Sequence, residues 1–407
     1  MCKYLFTFEN SRFFSMIKKS FTILIIILFA PYNFFLTAQS NSDRLNTIDI
    51  IVPFLTIAPD SRAGGMGDVG AATTPDVFSL HWNAAKFAFI DGNSGVGISY
   101  SPWLRSVAPD INIALLTGFA RIDQKQVISS SLLYSSLGNI LFTDDVGNFI
   151  RNYTPNEFAL DAAYTRLLYD KISGAIAFRF IYSNLYGGIY SYGAATKPGI
   201  SFAADISGFW NDNILIMNKN ANIAVGLSFS NIGSKMSYSN STASDFIPMN
   251  MRIGSALKVD IDGYNSILFA LDLNKLLVPT PPIYSLSNPD SIIAGKNPNV
   301  SVPAAIFRSF FDAPGGFKEE LREITYSAGI EYWYNDIFAL RGGYFHEHET
   351  KGNRKYFTAG AGFKFNSFTL DFSYLMPIVQ NHPLARTLRF SLTFDIGSSS
   401  DNSKIKT

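Results

Sequence analysis

The sequence predicts an all-β protein, a transmembrane antiparallel β-barrel of about 14 strands with an N-terminal hatch. Three observations lead there. Charged residues make up 16% of the chain and aromatic residues 15%, which is poorer in charge than an ordinary soluble domain. No internal stretch supplies the roughly 20 apolar residues that a membrane helix requires. From Gly95 onward, apolar and polar side chains alternate with period two, as in strands with one face in lipid and one in a polar lumen. The net charge of +1 gives no basis for nucleic-acid binding.

Taken in order, the chain opens with a secretory signal. Lys18 and Lys19 precede the apolar run Phe21 to Ala30, which Pro31 breaks before it is long enough to anchor in a membrane. Cleavage after Ala38 leaves Gln39 first, and Met16 is an alternative start that keeps the whole signal. Cys2, the only cysteine, precedes the apolar run, so the exported chain has no disulfide and no lipid-bearing thiol. The expected layout is a signal peptide over 1–38, an N-terminal segment with the hatch over 39–92, the barrel over 93–397 and a polar tail over 398–407.

The stretch from Pro53 to Ile90 is the one piece that does not read as β-hairpins. Gly64, Gly65, Gly67 and Gly70 allow tight turns and close backbone approach, which suits a segment folded inside a barrel. Arg62, Asp68, Asp76 and Asn83 are expected to hold this hatch through hydrogen bonds and ion pairs, with Trp82 beside them. Residues 65–70 also fit G-x-G-x-x-G, the dinucleotide fingerprint, but Pro59 and Pro75 interrupt its flanks and no βα alternation follows. The nucleotide reading is therefore set aside.

Candidate strands then fall near 95–101, 111–121, 126–136, 158–168, 172–183, 199–210, 222–231, 250–260, 265–275, 324–333, 336–345, 356–366, 367–376 and 386–397. In the fifth, Ile172, Ile176, Phe178, Phe180 and Tyr182 share one face, and Ser173, Ala175, Ala177 and Arg179 share the other. The same split puts Arg179, Arg252, Lys258, Asp272, Lys364, Asp371 and Arg389 toward the lumen, where they are expected to form ionic pairs. With the hatch taken to lie on the periplasmic side, even connections read as short periplasmic turns, and 211–221 as a somewhat longer one. Odd connections read as long outer loops.

The longest, from Leu276 to Glu323, exceeds ordinary loop length, which marks it for function. Phe307, Phe310 and Phe311 stand at i, i+3, i+4 spacing, so one helical turn would gather their rings. Such an apolar patch suits a protein partner, and Trp103, Leu104 and Arg105 in the first outer loop carry the same expectation.

Chemical motifs are sparse. His346-Glu347-His348-Glu349 alternates potential metal ligands but is not the helical H-E-x-x-H pattern, and no G-x-S-x-G elbow occurs. No catalytic residue, cofactor or metal is expected.

The hatch carries a family resemblance. Asp60 to Asp76 (DSRAGGMGDVGAATTPD) and His81 to Ala88 (HWNAAKFA) resemble the N-terminal hatch of FadL-like outer-membrane proteins. Within these, Pro53 to Thr73 is similar to the PorV (LptO) family of the type IX secretion system of Bacteroidetes. Ser101 to Arg105, Pro155 to Asp161 and the closing RTLRFSLTFDIG extend the likeness over the mature chain. The usual N-P-A of the hatch is Asn83-Ala84-Ala85 here, so that turn is less rigid. The resemblance implies a plugged outer-membrane barrel that binds the C-terminal signal domain of secreted cargo at a SprA-type translocon. It further implies transfer of that cargo to an attachment complex with a PorU-type sortase, with outer-membrane lipid around the wall. Two other readings stay open: a FadL-type channel for hydrophobic small molecules, and an enzyme acting on lipopolysaccharide acyl chains. The mixed-charge lumen argues against the first, and the lack of a nucleophile motif against the second.

Overall fold

Alternation dictates the architecture. A strand with one apolar face is stable in lipid only if its backbone groups all pair, which requires a closed sheet. The computed structural model describes residues 45–143, 146–188, 190–191, 194–239, 244–288, 290–379 and 382–396. The expected signal peptide, its cleavage site, Cys2 and the polar tail lie outside the described residues.

The wall is one closed antiparallel barrel whose strands pair in chain order. They are β1 (Ser94–Pro102), β2 (Ile111–Arg121), β3 (Gln126–Leu137), β4 (Asn156–Tyr169), β5 (Ile172–Asn184), β6 (Gly199–Ile216) and β7 (Lys219–Gly233). There follow β8 (Asn250–Asp260), β9 (Asn265–Leu276), β10 (Thr325–Tyr334), β11 (Phe338–His346), β12 (Lys355–Phe365), β13 (Phe368–Pro377) and β14 (Leu388–Ile396). The seam joins β1 to β14, from Ser94 opposite Ile396 to Tyr100 opposite Phe390. On the outward face, rings of neighbouring strands touch: Phe158, Phe180 and Phe202 form a chain with centroids 6.0 and 5.4 Å apart. Their inward neighbours are Glu157, Ala159, Arg179, Ile181, Ser201 and Ala203, all buried.

One connection differs from expectation. Residues 211–221 are not a loop, because β6 and β7 stay paired from Asn211 opposite Ala224 to Ile216 opposite Lys219. Met217 and Asn218, both with positive φ, make the two-residue turn, a geometry that matches strand twist. The hairpin overhangs β5, whose pairing with β6 stops at Ile172 opposite Trp210.

The short connections (122–125, 170–171, 217–218, 261–264, 335–337, 366–367) all lie at one end and the long ones at the other. The first is periplasmic and the second external by the rule for such barrels. The parity is as expected, but the side from which the hatch enters is not. Asn46 donates its N–H to Thr350 O at 2.9 Å and Ile51 to Phe246 O at 3.1 Å, so the described chain begins among the outer loops. It then descends through the lumen and leaves at the short-turn end, where Arg121 donates to Ile90 O at 2.6 Å. The segment runs the whole length of the barrel because its two ends are anchored at opposite rims.

The lumen is filled in two tiers. In the outer one, Val52, Phe54 and Leu55 pack against the wall residues Ile113, Leu115, Leu133 and Ile181, under Ile247, Met249, Leu277 and Ala305 from the loops. In the middle one, Met66, Val69, Val77, Leu80 and Phe87 of the hatch meet Phe119, Val127, Phe209 and Leu268 of the wall. Below the hatch a vestibule of about 1690 Å³ lies at the short-turn end, among side chains that include Asp91, Asn213, Lys258, Asp336 and Asp395.

Candidate functional site

Two features carry the functional argument: the hatch, which decides whether the lumen conducts, and the outer-loop face, which decides what the barrel can touch.

The hatch has little regular structure, so its backbone groups need partners from elsewhere. Luminal side chains supply them. Ser391 Oγ accepts from Ser61 N at 2.8 Å, Thr358 Oγ1 from Gly67 N at 2.8 Å, and Asp272 Oδ2 from the N–H groups of Gly70 and Ala71 at 2.8 and 3.0 Å. Thr165 and Ser173 donate to the carbonyls of Ala84 and Ala85 at 2.9 and 2.6 Å. The glycine-rich run thus spends its amides on the wall (Gly67, Gly70) or on the hatch's own carbonyls (Gly64, Gly65, Met66, Asp68), which leaves them unavailable for a phosphate. Gly67 sits at φ 72°, open to glycine and strained for other residues. Opposite it, a Cβ on Gly343 would collide with Met66 and Gly67 backbone, so hatch and wall meet at van der Waals distance.

Ion pairs fix the register. Arg62 grips Glu331 with two bonds of 2.9 and 2.7 Å and reaches Asp76 at 2.9 Å within the hatch. Glu331 also accepts from Arg341 at 2.7 Å, and Arg341 donates to Asp371 at 2.6 Å, so the chain of charges runs from hatch to wall without leaving a member alone. Asp60 caps the short helix α1 (Ser61–Gly64) through Ala63 N at 2.8 Å and accepts the Trp82 indole N–H at 2.7 Å. Asn83 donates to Ala71 O at 3.0 Å and Gly208 O at 3.1 Å, and it caps the next turn through Ala85 N at 3.0 Å. Asp68 accepts from Tyr356 at 2.5 Å and lies 3.6 Å from Arg389.

The luminal charges divide by depth. Arg179 meets Asp161 at 2.6 Å, Asp205 at 3.2 Å and the Asn231 amide, a cluster closed within the wall. Arg252 lies 3.6 Å from Asp272 and 4.7 Å from the Trp82 ring centre, joining wall to hatch. Lys258 and Lys364 line the vestibule instead. Sequence reasoning missed Asp60, Glu331, Tyr356 and Lys86, the last fully buried and donating to Gly70 O and Thr73 Oγ1 at 3.0 Å each. A lysine inside the apolar run from Ala84 to Ile90 was the available signal for Lys86.

On the outer face, α2 (Val302–Arg308) presses Ala305 and Ile306 onto the outer tier. The helix ends at Arg308, so Phe307 alone belongs to it and Phe310 and Phe311 fall in the following turn, unlike the single helical turn expected. All three rings remain exposed, Phe307 at 71%, as does Phe317 of the same loop at 76%. Trp103 and Leu104 behave differently. Both are half-buried, packed against Phe345, Tyr356, Leu375 and Leu384, with Trp103 also under Arg389, while Arg105 is exposed.

The loop is latched. Lys275 at the end of β9 meets Glu320 at 3.0 Å and Glu323 at 2.6 Å; Lys351 meets Glu319 at 2.6 Å and Glu323 at 3.0 Å. Asn46 of the descending segment adds a bond to Glu319 at 2.9 Å. Asp312 beside them has its carboxyl pushed up to about 6 by burial and by Glu320 and Glu323, while Lys351 and Asn46 hold Glu319 below its ordinary value. The His346 to Glu349 run is spent locally: Glu347 is bidentate with Arg354 at 2.9 and 2.8 Å, and His348 bonds Thr350 at 2.9 Å.

A family model described as type IX secretion system protein PorV matches residues 39–283, more than half of the chain. No curated protein sequence matches. Among solved structures the chain is similar to the CymD monoaromatic hydrocarbon channel, at 10% identity and TM-score 0.46 over 86% of this chain and 99% of that one. It is also similar to the Pseudomonas putida toluene transporter TodX, at 9% identity and TM-score 0.44 over 86% and 98%. A Pseudomonas aeruginosa FadL homologue follows, at 11% identity and TM-score 0.42 over 86% and 99%.

Proposed function

The chain belongs to the PorV family of type IX secretion system outer-membrane proteins, and on that premise we propose that it is a cargo-handling barrel, not a conduit. In this reading it binds the C-terminal signal domain of a secreted protein at a SprA-type translocon and passes it to a PorU-type sortase complex. Cargo contacts the outer face and does not cross the lumen.

The observation that carries the reading is that four large rings, Phe307, Phe310, Phe311 and Phe317, are solvent-exposed on one loop that ion pairs tie to the barrel rim. Large rings held in place lose little entropy on binding and make strong interface anchors. Arg105 is exposed on the first outer loop, whereas Trp103 and Leu104 are packed into the rim. The channel reading has less support, because the chain's own side chains occupy the outer tier and the open vestibule is polar.

The test is a mild-detergent pull-down of tagged protein from its native outer membrane with mass spectrometry of everything retained. Recovery of a very large translocon protein and of exported proteins sharing a C-terminal domain, lost in a Phe307→Asp, Phe311→Asp variant, is the expected result. A lone barrel, or full recovery with the double variant, would overturn the assignment.

A further inference from the structure

We infer that the periplasmic rim between the β2–β3 and β4–β5 turns is a binding site for one glycerophospholipid of the inner leaflet, through its phosphate. The inference stands apart from the secretion reading and rests on three features of the wall.

The first is a groove. A cavity of about 450 Å³ opens beside Leu168, Tyr169, Ile172 and Trp210, at the short-turn end. Leu168, Ile172 and Trp210 occupy outward positions of β4, β5 and β6, so the groove continues the lipid-facing band. It exists because β6 overhangs β5, leaving a step in the wall at Trp210.

The second is its level in the membrane. A Tyr and a Trp side by side at the end of an apolar band mark the boundary between acyl chains and headgroups, where rings with one polar atom settle. An acyl chain lying on Leu168 and Ile172 would therefore bring its glycerol and phosphate to the groove mouth.

The third is charge at that mouth. Lys125 and Lys171, from neighbouring turns, both line the groove. Backbone bonds set their positions: Leu167 donates its N–H to Lys125 O at 2.8 Å and Asn211 to Lys171 O at 2.9 Å. Lys171 is held by Asp212 at 2.9 Å, whereas Lys125 is exposed and has no ion pair among the described residues. The unpaired Lys125 ammonium, with the Asp212-held Lys171 across an apolar slot at headgroup depth, matches a phosphate carried by two acyl chains. Asp170 also lines the groove and suits an amine on the same headgroup, which favours a phosphate–amine lipid over an acidic one.

The experiment is native mass spectrometry of the full-length barrel in detergent, titrated with phosphatidylethanolamine, phosphatidylglycerol or phosphate-free diacylglycerol. The expected result is one phospholipid retained at several-fold higher occupancy than diacylglycerol. Lys125→Glu and Trp210→Ala should each lower that occupancy several-fold, with Lys125→Arg keeping it and Lys235→Glu, on an outer loop, changing nothing. Both groove variants leave the ladder intact, and an unchanged heat-modifiability shift on a gel verifies folding. Equal retention of diacylglycerol, or unchanged phospholipid occupancy in both groove variants, would overturn the inference. If Lys125→Glu instead removes a periplasmic protein from membrane pull-downs while lipid occupancy stays constant, the groove is a protein contact and the lipid site is refuted.

Discussion

The outer tier of the lumen and the hatch tier beneath it block the same channel by opposite means. The outer tier is apolar and non-directional: Phe54, Leu115, Met249 and Leu277 exclude water by burial. The hatch tier is directional: backbone amides meet Ser, Thr and Asp side chains, and Arg62 is aimed at Glu331. Burial tolerates small shifts of its parts, whereas a bonded register does not. The comparison teaches that the hatch sets position while the outer tier supplies cover, so damage to one should leave the other readable.

The largest effect should come from Glu331→Ala, which removes the buried carboxylate that Arg62 and Arg341 share and leaves them only Asp76 and Asp371. Removing one partner of a buried pair costs about 3–5 kcal/mol. Because the only native cysteine is Cys2, a reporter placed by Ala63→Cys reads the hatch alone. It should become reactive to a membrane-impermeant thiol reagent in Glu331→Ala, while one placed by Ala305→Cys stays protected. Equal reactivity at both would erase the distinction between tiers.

Leu277→Ala tests the converse. Deleting a buried leucine side chain costs about 2–5 kcal/mol, here taken from the outer tier, so Ala305→Cys should open and Ala63→Cys stay shielded. A smaller change, Gly343→Ala, sets a Cβ against Met66 and Gly67 and should cost about 1–3 kcal/mol through overpacking. It should raise Ala63→Cys labelling modestly without altering the outer-loop reporter.

The smallest effect is a pH dependence confined to the latch. Asp312 titrates near 6, above its ordinary value, so the closed loop favours its protonated form; that contribution is complete near pH 4 and fades as pH rises through 6. Glu319 is held below its ordinary value, so its contribution is present above that value and fades as pH falls. Hydrogen exchange of residues 277–323 should thus be slowest near pH 5 after correction for intrinsic rates, and Asp312→Asn should flatten the rise toward pH 7.5. The hatch peptides serve as the internal reference.

Much of the wall was legible because lipid enforces alternation on one face of every strand, as Ile172 to Tyr182 display. The β6–β7 overhang was not, since Asn211, Asp212, Asn213, Asn220 and Asn222 resemble a loop composition and Met217-Asn218 lacks the glycine that usually announces a tight turn. Within the hatch, glycine density pointed to close contact, and Arg62 and Asp76 do meet. Their partners were hidden by distance along the chain: Ser61 bonds Ser391, and Tyr356 bonds Asp68. Trp103 illustrates the opposite trap, a large loop aromatic whose neighbours lie on β11, β12, β13 and the loop after it and absorb it into the rim.

The passage of residues 45–93 from one rim to the other makes the barrel a ring closed on a thread. The thread is covalently fixed to the ring at the inner rim, where Asn93 runs into β1. Traction from the periplasm can draw it inward only by hauling residues 45–57 down through the bore. Traction from outside must first unzip β1 from β14. The ring therefore resists the two directions of force unequally.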